Sequence, residues 1–298
     1  MRKRNYSIIA IAIAVVAIIA GIFIFKNYSK QNEVQEIASV KVESRTVPTF
    51  FFHGWGSSYH AEEDMVKAIK HAGVTKSVIR ANVTRSGKVI LHGRLNKNAR
   101  NPIIEVNFDD NKLSGYQGDY VRAYENAGSR YVKNVIQKVT SKYHYNQINI
   151  VAHSMGNLEV AYYFKRYPEL QKQIQVNHFI SMAGHYDGII GENDKPNQLK
   201  IDKKTGKPSF MRPEYRGLLP LRKTFPRNTR VLNIFGNRED GTNSDGPVSN
   251  ASARSLRYLI NGRAKSYREL MIRGKNAQHS KLHNNRQVNQ AIVNFLWR

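Results

Sequence analysis

The chain has 298 residues, 41% of them apolar, which is enough to bury a core in one large or two small domains. It has no cysteine, which excludes disulfides, thiolate zinc sites, cysteine nucleophiles and a lipidated N-terminal cysteine. The 47 Lys and Arg residues outnumber the 22 Asp and Glu residues, for a formal net charge of +25. Such a surface favours anionic partners: phospholipid head groups, anionic wall polymers or nucleic acid.

The N-terminal segment has the pattern of a membrane span. Residues 8–25 carry no charge and are mostly apolar, and Arg2, Lys3 and Arg4 precede them. A helix of this length spans roughly 27 Å, close to the hydrocarbon thickness of a bilayer. The preceding positive charges favour a cytoplasmic N-terminus and an exported remainder. We therefore expect an N-terminal membrane anchor in residues 1–30, or a secreted protein if the segment is a cleaved signal peptide.

A polar linker, residues 31–44, connects this segment to a folded domain that we expect to cover residues 45–298. Within that domain, strand-like and helix-like patterns alternate. Predicted strands cover residues 47–52, 102–108, 147–151, 176–183, 230–236 and 266–272, and predicted helices cover residues 61–72, 120–139, 158–167, 248–259 and 287–297. This order predicts an α/β fold with a mostly parallel sheet flanked by helices. Residues 77–92 add a predicted β-hairpin.

Residues 188–227 interrupt the alternation. This segment, the basic insertion, contains five prolines and ten basic residues against four acids. Long connections of this kind are often lids or binding segments. We therefore expect either a lid or a solvated insertion. As a lid, its excess positive charge would favour an anionic substrate or a membrane surface.

A serine between two small residues marks the centre of the domain. Ser154 lies between Ala152 and Gly156, on a predicted strand-to-helix turn. This layout is typical of a nucleophile elbow, in which the backbone is strained and bulky flanking residues would clash. Alanine at position 152 replaces the commoner glycine, a mild departure because it adds one methyl group. The alternative is a helix whose N-cap happens to be serine.

A glycine-containing loop follows the first predicted strand. In His53–Gly56, the glycines allow backbone N–H groups to approach a substrate, so the loop is a candidate oxyanion loop. The alternative is a tight strand-to-helix turn in which His53 is a hydrogen-bonded structural residue.

Chain order supports the elbow. A hydrolase elbow calls for a later carboxylate after a strand and then a histidine after the last strand, because serine needs a base and the base needs an orienting carboxylate. Asp240 and Asp245 are the candidate acids, and the histidines beyond Asp245 are His279 and His283. Both histidines lie after the last predicted strand. His279 is favoured because His283 lies closer to the start of the final helix.

The loop after residue 236 also resembles a calcium site. Asp240, Thr242 and Ser244 are potential ligands, but the glycine and the closing glutamate miss their EF-hand positions. We therefore expect no metal and no cofactor.

Four segments together resemble the α/β-hydrolase superfamily: His53–Gly56, Ala152–Gly156, Ser244–Val248 and Gln278–Leu282. More closely, they resemble poorly characterised lipase/esterase-like hydrolases of Gram-positive cell surfaces, which are membrane-anchored or secreted. The resemblance extends from Val47 to Arg298. It implies an α/β-hydrolase fold for nearly the whole exported part.

The same resemblance assigns roles to residues. It implies that Ser154 is the nucleophile, Asp245 the acid and His279 the base. It also implies that the backbone N–H groups of Trp55 and Met155 form the oxyanion hole.

These observations predict a serine hydrolase of carboxylic esters that works through an acyl-serine intermediate. We expect a small-molecule or lipid ester as substrate and a single-pass membrane protein with its catalytic domain outside the cell. Two other functions fit the same residues: an acyltransferase that uses the same triad, and a non-catalytic surface protein with a hydrolase fold that binds anionic wall polymer. The positive charge also makes anionic lipid a candidate partner. Nucleic acid is not an expected partner, because no binding motif is present and the domain is predicted to be exported.

Overall fold

The computed structural model describes residues 35–39 and 41–298. The predicted anchor, residues 1–30, and the first residues of the linker lie outside the described residues. No helix within the described ranges is long and apolar enough to cross a membrane. Residues Glu36–Arg298 pack together as one unit.

An eight-stranded sheet forms the centre of this unit. Its strands are β1 (Thr49–Phe52), β2 (Val78–Val83), β3 (Val89–His92), β4 (Ile103–Phe108), β5 (Gln147–His153), β6 (Gln175–Met182), β7 (Arg230–Asn237) and β8 (Ser266–Arg273). The spatial order is β3-β2-β4-β1-β5-β6-β7-β8. Every neighbouring pair is parallel except β2 and β3, which form an antiparallel hairpin. The predicted mostly parallel sheet and its hairpin are thus confirmed.

The helices follow the expected alternation with two differences. They are α1 (His60–His71), α2 (Tyr120–Ala123), α3 (Ser129–Tyr143), α4 (Met155–Arg166), α5 (Pro213–Leu218), α6 (Leu221–Thr224), α7 (Asn250–Arg254), α8 (Leu256–Ile260) and α9 (Arg286–Trp297). A π-helical turn, Tyr124–Gly128, separates α2 from α3 within the predicted helix 120–139. The predicted helix 248–259 is two short helices that meet at Ser255.

Different helices cover the two faces of the sheet. Along β1, Phe50 and Phe52 belong to the hydrophobic cluster that includes α3 and α4, whereas Phe51 belongs to the cluster that includes α1 and α9. Alternation of this kind is required by the two-residue period of a strand. Because both faces are covered, all four residues of β1 are buried.

The parallel arrangement brings several loops together. The loops that follow β1, β5, β6, β7 and β8 all leave the sheet at its carboxyl end, where ligands of open α/β sheets bind. Ser154 follows β5 directly, and the basic insertion, with α5 and α6, follows β6. The candidate site therefore lies at this end.

Candidate active site

Ser154 lies in a strained turn between β5 and α4. Its φ of 50° and ψ of −121° fall in a region that side-chain-bearing residues rarely adopt. A Cβ atom at Gly156 would lie 2.7 Å from the carbonyl oxygen of His53 and 2.9 Å from that of Phe52, so this position requires glycine. The Ser154 side chain makes no capping hydrogen bond to α4. The geometry is therefore that of the elbow and differs from that of an N-cap serine.

A continuous chain of hydrogen bonds joins three of the predicted residues. The Ser154 hydroxyl lies 3.0 Å from Nε2 of His279, and Nδ1 of His279 lies 2.7 Å from Oδ2 of Asp245. The Asp245 side chain is 1% exposed and that of His279 is 13% exposed. Because the carboxylate accepts, the proton on the imidazole resides on Nδ1, and Nε2 is free to accept from the serine hydroxyl.

Backbone contacts hold the acid and histidine loops together. The N–H of His279 donates to the carbonyl oxygen of Asp245 over 3.0 Å, and the N–H of Val248 donates to Asp245 Oδ1 over 2.8 Å. A Cβ atom at Gly236, near the end of β7, would lie 2.0 Å from the carbonyl oxygen of Ala277. The absence of a side chain at Gly236 thus lets the loops after β7 and β8 approach each other.

The competing acid and base lie elsewhere. Asp240 is exposed and pairs with Arg238 at 3.1 Å, and a hydrogen bond from the Thr242 hydroxyl lowers its pKa. His283 is partly buried, and its ring centroid lies 3.9 Å from that of His153. Neither side chain joins the hydrogen-bond chain to Ser154.

The potential calcium ligands bond to one another. The Thr242 hydroxyl lies 2.6 Å from Asp240 Oδ1 and 2.7 Å from the Ser244 hydroxyl. In the part of the chain that the structure describes, no group of three or more His, Asp or Glu side chains could hold a metal ion.

His53 holds the glycine loop beside Ser154. Its Nε2 accepts from the N–H of Phe108 over 3.0 Å, and its Nδ1 lies 2.9 Å from the carbonyl oxygen of Gly54. Burial lowers the pKa of His53 to about 4, so the ring is neutral at pH 7. A Cβ atom at Gly54 would lie 2.9 Å from Cβ of Ser154. His53 is thus a structural residue, and Gly54 permits the close approach of its loop to the serine.

Further histidines surround His279. His153 lies with Nε2 3.3 Å from the carbonyl oxygen of His279. Burial is the largest cause that lowers the pKa values of His153, His185 and His283, to about 4 for His185 and about 3 for His283, and neighbouring histidines add to it. These rings are therefore neutral at pH 7, and no positive charge from them competes with His279 for the Asp245 carboxylate.

A cavity of about 290 Å³ opens beside Ser154. Trp55, Met155 and His279 line it, and its other walls combine aromatic, apolar and acidic residues: Tyr120, Tyr124, His185, Gly188, Ile189, Glu192, Asn193, Glu214 and Pro247. No lysine or arginine of the described chain lines it. The basic insertion contributes two carboxylates and none of its ten basic residues, so the lining gives no support to an anionic substrate.

Buried ion pairs fix the insertion as a wall of this cavity. The guanidinium of Arg212 lies 3.0 Å from Asp194 and 3.5 Å from Asp187, and both carboxylates are fully buried. Asp194 also accepts from the Ser249 hydroxyl over 3.0 Å. Burial raises the pKa of Asp187 to about 6, against the opposing effect of Arg212. The segment that begins the insertion is thus tied to the loop before α7.

Sequence reasoning missed Tyr120 and Tyr124 as cavity residues. Tyr120 begins the predicted helix 120–139, and Tyr124 belongs to its apolar stripe, where the pattern indicates core. The spacing of a stripe is the same for core and for cavity wall, so periodicity carries no signal that separates them. Ile189, Glu192 and Glu214 lie in the aperiodic insertion and were not predicted either.

This fold, with a serine elbow at the carboxyl end of a mostly parallel sheet, defines an α/β hydrolase. The family model described as "Alpha/beta hydrolase of unknown function (DUF915)" matches residues 37–298, and the chain belongs to this family. The resemblance inferred from the four sequence segments is therefore confirmed. A search of curated protein sequences finds no match.

Two solved structures share the fold. The product of gene lin2722 from Listeria innocua is 22% identical, with a TM-score of 0.73, over 85% of this chain and 94% of that one. A proposed cell surface hydrolase from Lactobacillus plantarum WCFS1 is 18% identical, with a TM-score of 0.65, over 85% of this chain and 90% of that one. Both organisms are Gram-positive bacteria, as the sequence resemblance implied.

Proposed function

We propose that this protein is a serine hydrolase that cleaves carboxylic esters through an acyl-serine intermediate. The observation that carries the proposal is the hydrogen-bond chain from Asp245 through His279 to Ser154, beside an open cavity. Serine is a poor nucleophile until a base takes its proton, and this chain supplies the base and its orienting carboxylate.

In the acylation step, Ser154 Oγ attacks the ester carbonyl carbon while His279 Nε2 takes the hydroxyl proton. The carboxylate of Asp245 stabilises the imidazolium that forms. The negative charge on the carbonyl oxygen is stabilised by the backbone N–H groups of Trp55 and Met155, whose residues line the cavity. As the C–O bond breaks, the leaving alcohol takes the proton from Nε2.

In the deacylation step, water takes the place of the alcohol. His279 Nε2 accepts a proton from the water, whose oxygen attacks the acyl carbonyl carbon. The tetrahedral intermediate then collapses, the proton passes to Ser154 Oγ, and the carboxylic acid leaves. The enzyme returns to its starting protonation state without a cofactor.

The cavity supports a substrate of modest size without negative charge. Its volume of about 290 Å³ lies at the small end of the range for ligand pockets. Tyr120, Tyr124 and Ile189 offer apolar surface, whereas Glu192 and Glu214 place negative charge in the walls. We therefore propose a neutral or cationic ester in preference to an anionic one.

We further propose that the catalytic domain is held at the outer face of the cell membrane by residues 8–25. The support is the uncharged run itself and the three basic residues that precede it.

The test is covalent labelling of the full chain with a fluorophosphonate probe. Wild type is expected to be labelled and to hydrolyse p-nitrophenyl esters. Ser154→Ala is expected to lose both the labelling and the hydrolysis. Ser280→Ala, a change at an exposed serine next to His279, is the matched control and is expected to keep both. Equal labelling of Ser154→Ala and wild type, or no turnover of any ester by wild type, would contradict the proposal.

A further inference from the structure

A second and larger cavity lies at the opposite end of the sheet from Ser154. It has a volume of about 570 Å³ and lies between α9 and the amino ends of β6, β7 and β8. Five cationic side chains line it, and the described lining contains no acidic side chain. The five are Arg45, Arg230, Lys265, Arg268 and Arg298. We call it the basic cavity.

Strand register explains why these charges converge. Arg230 is paired with His178 of β6 on one side and with Ser266 of β8 on the other, and Leu232 is paired with Arg268. Residues two apart on a strand face the same side of the sheet, so Arg230 and Arg268 lie on one face. It is the face that α9 covers, since the ring of Phe295 packs 5.2 Å from that of His178.

The protein leaves most of these charges without a counter-charge. Among the described residues, Arg45 has an ion pair, with the exposed Glu43, whereas Arg230, Lys265, Arg268 and Arg298 have none. Arg298 donates instead to the neutral Asn294 side chain over 3.1 Å. Like charges in one concave site repel each other, so a fold that keeps them together favours an anion between them.

The buried His178 lies in the electric field of these cations. It is 6% exposed, and its Nδ1 lies 2.9 Å from the Asn149 side-chain oxygen. Burial first, and then the positive charges of Arg230 and Arg45, lower its pKa to about 4. An anion bound in the cavity would oppose that field and favour the protonated ring.

We propose that the basic cavity binds a ligand through a phosphate group, at a site distinct from the cavity beside Ser154. Guanidinium groups bind phosphate oxygens in a bidentate manner, and three tetrahedrally arranged oxygens suit a ring of cations better than the two of a carboxylate. Leu232, Ala291 and Phe295 supply an apolar wall for the alcohol part of a phosphate ester. Either a lipid head group or a water-soluble phosphate ester has this chemistry.

The experiment is calorimetric titration of the full chain, in an uncharged detergent, with tripolyphosphate. Wild type is expected to bind, and Arg230→Gln combined with Arg268→Gln is expected to weaken binding at least tenfold. The matched control is Arg85→Gln combined with Arg94→Gln, which removes the same charge from exposed positions near the β2–β3 hairpin at the far edge of the sheet. The control is expected to bind within twofold of wild type.

Two outcomes would overturn the proposal. One is the absence of tripolyphosphate binding by wild type. The other is an equal loss in the control, which would show that net charge alone drives the binding. If the variant with Arg230→Gln and Arg268→Gln does not fold, the variant with Lys265→Gln and Arg298→Gln takes its place in the same titration.

A measurement on wild type makes the test independent of the variants. Tripolyphosphate is expected to raise the pKa of His178 from about 4, as followed by NMR of its imidazole protons. An unchanged His178 pKa at saturation would place the anion elsewhere.

The source of the phosphate is decided by competition. Dihexanoyl phosphatidylglycerol that displaces tripolyphosphate assigns a lipid head group, whereas displacement by glycerol phosphate alone assigns a soluble ester. Hydrolysis of neutral p-nitrophenyl esters is expected to be unchanged in the Arg230/Arg268 variant. This inference therefore stands or falls separately from the proposed esterase activity.

Discussion

The two ends of the central sheet differ in whether their charged side chains have partners of opposite charge. At the carboxyl end, the buried Asp245 is hydrogen-bonded to His279, and the buried Arg212 is paired with Asp187 and Asp194. At the amino end, four of the five cations of the basic cavity have no ion pair among the described residues. The eight residues of β7 separate the two ends by about 23 Å. No lysine or arginine of the described chain lines the cavity beside Ser154, so the excess positive charge lies elsewhere on the molecule.

Charge pairing at the carboxyl end suits acyl transfer. The neutral rings of His53, His153, His185 and His283 leave the Asp245 carboxylate as the ionised partner of His279. At the amino end, the four cations that have no ion pair among the described residues suit the capture of an anion. A chain with a net charge of +25 can therefore combine the proposed ester site, lined by carboxylates, with the proposed phosphate site at the other end of the sheet.

The largest effect is expected from the base at the carboxyl end. His279→Gln should lower kcat/KM for p-nitrophenyl acetate by about 10⁴-fold or more, because Ser154 loses its proton acceptor. His283→Gln should change it by less than about tenfold, since that ring packs against His153 and not against Ser154. Steady-state kinetics, with circular dichroism to confirm folding, makes the comparison. Equal losses in the two variants would remove the distinction drawn between the two histidines.

The next largest effect is expected on stability, where replacing a paired cation and replacing an unpaired cation should differ. Arg212→Gln should lower the free energy of unfolding by about 3–5 kcal/mol, because it leaves the buried Asp187 and Asp194 carboxylates without their counter-charge. Arg268→Gln at the basic cavity should change it by less than about 0.5 kcal/mol. Urea unfolding of both variants measures the difference. If Arg268→Gln lowered the free energy of unfolding more than Arg212→Gln, the conclusion that only the cation at the carboxyl end is needed for charge pairing would be wrong.

The smallest effect tests the carboxylates of the ester site. Glu192→Gln combined with Glu214→Gln should raise kcat/KM for an anionic p-nitrophenyl succinate by about tenfold relative to neutral p-nitrophenyl butyrate, because two partly screened repulsions are removed. Glu36→Gln combined with Glu169→Gln changes the same charge at exposed positions outside the cavity and should leave the ratio unchanged. An unchanged ratio in the first variant would mean that the wall carboxylates do not select the substrate.

Much of the fold could be predicted from the sequence because its signals are local. Apolar, β-branched runs mark the buried strands, and the alternation of strands and helices requires parallel pairing. The elbow is local as well: Gly156 is needed because the carbonyl oxygens of His53 and Phe52 lie where a Cβ atom would be. The breaks within helices were missed. At the π turn, the Ser129 hydroxyl donates to the carbonyl oxygen of Glu125 over 2.7 Å, a contact that periodicity does not reveal.

The candidate site was predicted less completely, because its members come from distant loops. Chain order by itself limited the base to His279 or His283, and it left both Asp240 and Asp245 as candidates for the acid. The approach of the two loops at Gly236 places Asp245, and not Asp240, beside His279.

The amino-acid sequence by itself determined the class of fold, the elbow around Ser154 and the sign of the net charge, since each depends on composition or on neighbours along the chain. The tertiary structure alone decided where the charged side chains lie. The basic insertion places Glu192 and Glu214 in the wall of the cavity beside Ser154, and the register of β7 and β8 brings Arg230 and Arg268 together at the opposite end. The physical reason is that long-range packing determines which side chains share a cavity. The spacing of residues along the chain does not predict which distant residues will do so.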